Sequence, residues 1–346
     1  MLTAGLLLFS SLQRTVVELP LKVDRPLPLV VAVCVSGATR GPESLRASIA
    51  ALRENLLVPA KQMHGARISV FGWLQDSAAE QLFEELLRGE PVVLTRRMVH
   101  HILPPELALN EATALRVDHG PLIDSQRIDS QTPAAHGVNF TNTLRMLRKI
   151  RGCEWLRAYH QHQQAEPHTL VVRIRPDLLL LEPLPLPLPL PPLPLEQPLP
   201  RGRAWGWHCA AQEVTTDQLL VGAPPLSARL GELYLPDALR AAMARSQPPT
   251  AYPERLVWQH LRASGYELHP LPHGTPRTAL VSDGGGARSP LAKLARDFPS
   301  AECPYPAPHE AQADIKLASA RLWESRNPGY TSRVGRSVVD VRNVET

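Results

Sequence analysis

The residues best suited to chemistry in this chain are charged side chains placed at the ends of apolar runs. Arg173-Ile-Arg-Pro-Asp177 closes a β-rich stretch that begins at His168. A carboxylate at a strand end, just past a proline that fixes the turn, is placed to hold a divalent cation and the diphosphate bound to it. Hard oxygen ligands of this kind suit Mg²⁺ or Mn²⁺. Arg173 and Arg175 share one side of an extended strand because side chains alternate. There they can bind diphosphate or pair with carboxylates, and Asp177 can equally serve as a turn cap. Ser36-Gly37-Ala38-Thr39-Arg40 follows an apolar run and leads into a helical pattern. Free backbone N–H groups and the helix dipole favour an anion at such a place, and Arg40 and Arg46 add bidentate charge. Ser36, Gly37 and Arg40 are therefore candidate ligand contacts, although a tight structural turn explains the loop as well. Asp217 in Thr-Thr-Asp-Gln and Glu254 in Tyr-Pro-Glu are single carboxylates. Either can act as a general base toward a hydroxyl, or cap a turn or helix. His269 ends the last strand-like segment and is a candidate metal ligand beside a diphosphate.

These residues need elements to position them. Leu29–Val35 is a continuous apolar run between prolines and Ser36-Gly37, which reads as a buried strand. Glu43–Leu57 carries Leu45, Ile49, Leu52 and Leu56 at helical spacing, with Pro42 in its first turn. Ile68–Trp73 is a second strand, Ser77–Arg88 an amphipathic helix and Pro91–Thr95 a third strand. Strand, helix, strand, helix, strand predicts a mostly parallel α/β sheet with helices on both faces. Residues 104–138 show no period and read as a long loop or lid-like insertion. Asn139–Gln164 is a helix and His168–Asp177 a strand. Ala204–Trp207 is a strand, and Thr215–Gly222 is a loop leading into one. Ser227–Tyr234, Pro236–Arg245 and Pro253–Arg262 are helices, and Tyr266–His269 is a short last strand.

Composition narrows the function classes. The chain has 346 residues and a formal charge of +4, with no dense Lys/Arg run, so nucleic acid is not its default partner. Its 44% hydrophobic content excludes a wholly disordered chain. GxSxG, HExxH, GxGxxG and GxxxxGK[ST] are all absent, and His100, His101, His160 and His162 do not stand at metal spacing. Cys34, Cys153, Cys209 and Cys303 lie far apart with no CxxC pair; two disulfides in any of three connectivities, or free buried thiols, remain open. Prolines number 36, and nine of them fall in residues 183–200. That stretch can continue neither a helix nor a ladder, so it is expected as an extended surface insertion, either a plain loop expansion or a ligand for SH3-like modules. The apolar stretch in residues 1–12 is too short to span a bilayer, so residues 1–27 read as a segment that is a truncated signal or anchor, or an ordinary buried piece. An anchor would place the protein in the secretory pathway, in the Golgi; without one it would be cytoplasmic. Residues 28–273 then form the catalytic domain, and residues 274–346 a peripheral, partly disordered tail in which Ile315–Trp323 reads as one docking helix.

Taken in order, the motifs resemble a group of glycosyltransferases. The matching pieces are Val31-Ala-Val-Cys-Val-Ser-Gly37 with Arg40 and Ser44, then Ile68-Ser-Val-Phe71. A helix with Met146, Lys149 and Cys153 follows, then Val171–Leu178, Thr216–Gly222, and Pro253–Leu261 with Gly265. The resemblance covers about residues 28–270. It implies a GT-A-like (Rossmann-related) nucleotide-diphospho-sugar fold, a nucleotide-sugar donor, a glycan, protein or lipid acceptor and often a divalent cation. By that analogy Asp177 takes the place of the metal- and diphosphate-associated acidic motif, Arg40 lies near the nucleotide, and Asp217 and Glu254 lie near the sugar or acceptor. The departures are the missing DxD around Asp177, the missing amide in the Ser36–Arg40 loop, the proline insertion and the missing or truncated anchor. They motivate two alternatives, a non-catalytic relative acting through its proline-rich loop and a phosphate-ester or nucleotide hydrolase on the same sheet edge.

Overall fold

The computed structural model describes residues 29–129, 140–164, 167–184, 186, 202–246, 252–270, 277–283, 286–288, 302–303 and 308–328. Its centre is a seven-stranded sheet in the order β3-β2-β1-β4-β7-β6-β8. The strands are β1 (Val30–Ser36), β2 (Arg67–Trp73), β3 (Val92–Thr95), β4 (Leu170–Ile174), β6 (Arg203–Cys209), β7 (Val214–Gly222) and β8 (Glu267–His269). β1 pairs in parallel with both β2 and β4, β2 with β3, and β6 with β8. β7 pairs antiparallel with β4 and β6, so it alone runs against the others. The expected α/β class, with a mostly parallel sheet and helices on both faces, is what the chain adopts.

Period-two alternation sorts the core onto the two faces. Val31, Val33 and Val35 of β1 face α1 (Pro42–Leu52), α2 (Val58–His64) and α3 (Ser77–Leu86), where Leu45, Ile49 and Phe83 meet them. Ala32 and Cys34 point the other way, onto α6 (Phe140–Gln164) through Cys153 and Leu156. A π-helical turn, Arg53–Leu57, joins α1 to α2. α6 approaches β2 closely: a Cβ on Gly152 would lie 2.2 Å from the Trp73 ring. Beyond α6, helices α7 (Pro224–Glu232), α8 (Pro236–Arg245) and α9 (Pro253–Ala263) close a second core with Leu220 of β7.

Three stretches differ from expectation. Residues 104–138, expected as a loop, contain α4 (Pro105–Ala108) and α5 (Glu111–Asp129), which buries Leu115, His119 and Ile123 although Pro121 interrupts its pattern. The proline-rich stretch, expected on the surface, begins inside the core: Leu184 and Leu186 are buried, and the Leu184 N–H donates to the Asn55 carbonyl at 2.8 Å. Its remaining residues, like residues 1–27, lie outside the described set. The segment after residue 273, expected to be peripheral, builds a second sheet in the order β10-β9-β5. β5 (Leu178–Leu180) leaves the Asp177 turn and pairs antiparallel with β9 (Thr278–Ser282), which pairs with β10 (Gly286–Arg288). Helix α10 (Pro308–Arg326) covers this sheet through Ala318 and Leu322. Cys209 and Cys303 form a disulfide, while Cys34 and Cys153 are free and buried. Among the described residues no helix is long and apolar enough to cross a membrane.

His168, one residue pair before β4, is 4% exposed and lies edge-on to Phe71 at 5.7 Å, with its Nδ1 3.4 Å from Gln161 Oε1. Burial, then the charges of Arg157 and His160, hold its pKa down to about 4 against an ordinary 6.5. The unfolded chain therefore binds this proton near pH 6.5 and the folded one does not. The contribution is complete above that pH and is lost as pH falls toward 4. We expect the urea midpoint to fall over this window, with His168 supplying on the order of 3 kcal/mol. His168→Gln should fall less steeply; equal slopes in the two proteins would overturn the assignment.

Candidate functional site

The chain runs β1, β2, β3 to one side and returns with β4 on the other side of β1, so the sheet reverses direction between β1 and β4. In open α/β sheets ligands occupy the crevice outside the carboxyl ends of the strands at such a reversal. The Ser36–Arg40 loop leaves β1 here, and Arg175-Pro176-Asp177 leaves β4. The two loops touch closely, since a Cβ on Gly37 would lie 3.0 Å from Pro176 Cδ.

Asp177 is the centre of this edge, at 1% exposure. Arg175 donates to both its oxygens, from Nε at 2.9 Å and Nη2 at 2.7 Å. Arg40 Nε donates to Oδ2 from the β1 loop at 3.3 Å. Asp217, in the amino-terminal half of antiparallel β7, brings Oδ2 to 3.7 Å from Arg175 Nη1. Burial alone would lower the Arg175 pKa. Asp177, Asp217 and, from the first turn of α9, Glu254 outweigh it and hold that pKa above the usual range. Thus Arg40, Arg175, Asp177, Asp217 and Glu254 lie together at this edge.

Arg173 also belongs to this edge, yet differs from the other arginines. It is 2% exposed, and none of its three guanidinium nitrogens has a hydrogen-bond partner among the described residues. Burial drives its pKa down to about 10, with Asp217 offsetting part of the effect. The Ser36 hydroxyl and Asp217 Oδ1 are likewise buried without partners. Such groups are rare in folded proteins and point to a missing partner or a functional strain.

Two expected metal ligands do not form a cation site. Both oxygens of Asp177 are taken by guanidinium groups, which would repel a second cation. His269 stands on β8, separated from β4 by β7 and β6, and pairs with Glu267 at 3.3 Å. Among the described residues no group of three or more His, Cys, Asp or Glu side chains could hold a metal. The donor set therefore does not fit Mg²⁺ or Mn²⁺.

The amino terminus of α1, expected to face a phosphate, is occupied by the protein itself. Asp283, at the end of β9, accepts from the Ser44 N–H at 2.7 Å and the Glu43 N–H at 3.3 Å. Its own N–H donates to the Arg40 carbonyl at 3.2 Å, which pins the loop. Gly41 is required here: its φ is +125°, and a Cβ would lie 2.1 Å from Asp283 Oδ2. Asp283 was invisible in the sequence because it is 240 residues from Glu43 and follows a short strand with no flanking period.

No known protein family matches the sequence, and no curated protein does. Among solved structures the chain is similar to mouse xyloside xylosyltransferase 1 in its apo form, at 8% identity and TM-score 0.35, over 70% of this chain and 84% of that one. It is also similar to galactosyltransferase LgtC in complex with donor and acceptor sugar analogues, at 10% identity and TM-score 0.38, over 89% and 99%.

Two outcomes follow from the geometry. Asp283→Ala removes the carboxylate that caps α1 and should lower unfolding free energy by about 1–2 kcal/mol; an unchanged denaturant midpoint would refute the capping role. Arg173→Met removes a buried charge without a partner, so its midpoint should equal or exceed that of the wild type. A loss larger than about 1 kcal/mol would show that Arg173 has a structural partner.

Proposed function

We propose that this protein is a glycosyltransferase-like enzyme with a GT-A-like architecture, which moves a sugar from a nucleotide-sugar donor to an acceptor hydroxyl. The observation that carries this reading is the convergence of Arg40, Arg175, Asp177, Asp217 and Glu254 at the reversal point of the sheet. The ordered sequence motifs that resemble glycosyltransferases supply these same residues.

In sugar transfer, negative charge develops on the departing diphosphate. Preorganised cations in a water-poor edge stabilise that charge without reorganising during the reaction. Arg40 is half-exposed and reachable, and Arg175 stands behind it, fixed by Asp177. A general base must take the proton of the attacking hydroxyl if the configuration inverts. Asp217 suits this role better than Glu254, because Arg175 Nη1 stands 3.7 Å from its Oδ2 and orients it. Asp177 then acts as a positioning residue: it holds Arg175 and Arg40, and no step is assigned to a metal. The engagement of Asp177 by two arginines also favours a second reading, a non-catalytic relative that binds a nucleotide sugar or a protein partner without turning it over.

Calorimetric titration with UDP, GDP and their sugars, with and without Mn²⁺, checks the donor class. We expect one nucleotide sugar to bind with little dependence on Mn²⁺. Asp217→Asn should keep that affinity while transfer or donor hydrolysis falls by about 10²-fold or more. Binding by none of the nucleotides would end the donor reading. Binding with no transfer and no donor hydrolysis would favour the non-catalytic relative.

A further inference from the structure

We propose that the cleft between Arg40 and Arg288 is a binding site for an anion of the diphosphate class, with Arg288 of the carboxyl-terminal hairpin as its second binding residue. The identity of the ligand as part of a nucleotide sugar rests on the reading above; the anion site itself does not.

The cleft has a volume of about 310 Å³ and is walled by Arg40, Asp177, Ser282, Gly286 and Arg288 over an apolar floor from β9. That is within the range of small-ligand sites. Register places Arg288 there: it pairs with Leu280, which pairs with Leu178, the residue after Asp177. Directly opposed residues of antiparallel strands share a face, so this row carries a guanidinium toward the same edge that Arg40 reaches from β1.

Charge decides what the cleft can hold. Arg288 is exposed and has no ion pair or hydrogen bond among the described residues. Arg40 is 47% exposed and engages Asp177 through Nε alone, so its two terminal nitrogens are uncommitted. The single carboxylate in the wall, Asp177, is already matched by the bidentate contact from Arg175. Two guanidinium groups therefore face a cleft with no uncompensated negative charge, and paired guanidiniums suit phosphate oxygens. The other place that would attract an anion, the amino terminus of α1, is filled by Asp283. The free positive potential of this edge thus lies at Arg40 and Arg288, one from each sheet.

The experiment uses the full chain and inorganic pyrophosphate as the probe, titrated calorimetrically at low ionic strength. Pyrophosphate should bind, and Arg288→Gln should weaken it by about tenfold, with the melting temperature unchanged because the side chain is exposed. Arg40→Gln should weaken it similarly, and Arg288→Lys should retain part of the affinity. No binding to the wild type, or equal binding to Arg288→Gln, would overturn the site. The two readings fail separately. Arg288-dependent pyrophosphate binding with no nucleotide-sugar binding leaves the anion site standing and removes the donor reading. Nucleotide-sugar turnover by a protein whose pyrophosphate binding is absent or indifferent to Arg288 does the reverse.

Discussion

The bidentate contact between Arg175 and Asp177 is the constraint on which the rest of this edge depends. A carboxylate at 1% exposure needs its oxygens matched, because the desolvation cost of a buried charge can exceed a single Coulombic gain. Here the match draws on the whole fold. Arg175 comes from the end of β4 and Arg40 from the loop after β1. Asp177 also gives its backbone to the second sheet, since the Val281 N–H donates to its carbonyl at 3.0 Å. One residue therefore fixes the crevice, joins the two sheets and orients the guanidinium that Asp217 and Glu254 share.

The second sheet follows from this junction. Pro176 ends β4, and the chain turns directly into β5, whose Leu178 and Leu180 enter the core under α1 while Leu179 faces α10. β9 pairs with β5 and delivers Asp283 to the start of α1. Arg277 joins Glu182 and Asp314 at the far end of the same layer. The carboxyl-terminal segment thus sets the position of the Arg40 loop, through the Asp283 N–H on the Arg40 carbonyl and the Asp283 carboxylate on α1.

What the sequence disclosed and what it hid have physical reasons. β1 is buried on both faces and appears as a nearly continuous apolar run, β2 and β4 stay largely apolar around Ser69 and Arg173, and α9 shows its apolar stripe plainly. Arg40, Arg175 and Asp177 stood out because charge is unusual beside such runs, whereas Asp217 lies inside β7 and Glu254 in the first turn of α9. His269 misled because closing a strand says nothing about which strands lie between it and the site. α5 hid because its buried positions are few and Pro121 breaks them. The second sheet hid because strands of three to five residues carry too little period to read, and its pairing joins residues about 100 positions apart. Asp283 and Arg288 were lost with it.

The charge pattern also explains why a missing acidic pair need not leave the site without electrostatic power. Where a cation would offset a departing diphosphate, this edge offers guanidinium groups, which are permanently charged and weakly hydrated. They need counter-ions to persist in a dry place, and Asp177, Asp217 and Glu254 supply them. Those counter-ions also limit the field that reaches a ligand, since each carboxylate cancels part of it. Arg173 is cancelled only in part, by Asp217 and Asp177. It has no hydrogen-bond partner among the described residues, and burial lowers its pKa to about 10. Its charge takes the cluster of Arg40, Arg175, Asp177, Asp217 and Glu254 from a formal −1 to neutrality, so the arginine without a hydrogen bond removes a negative bias that would repel an anion.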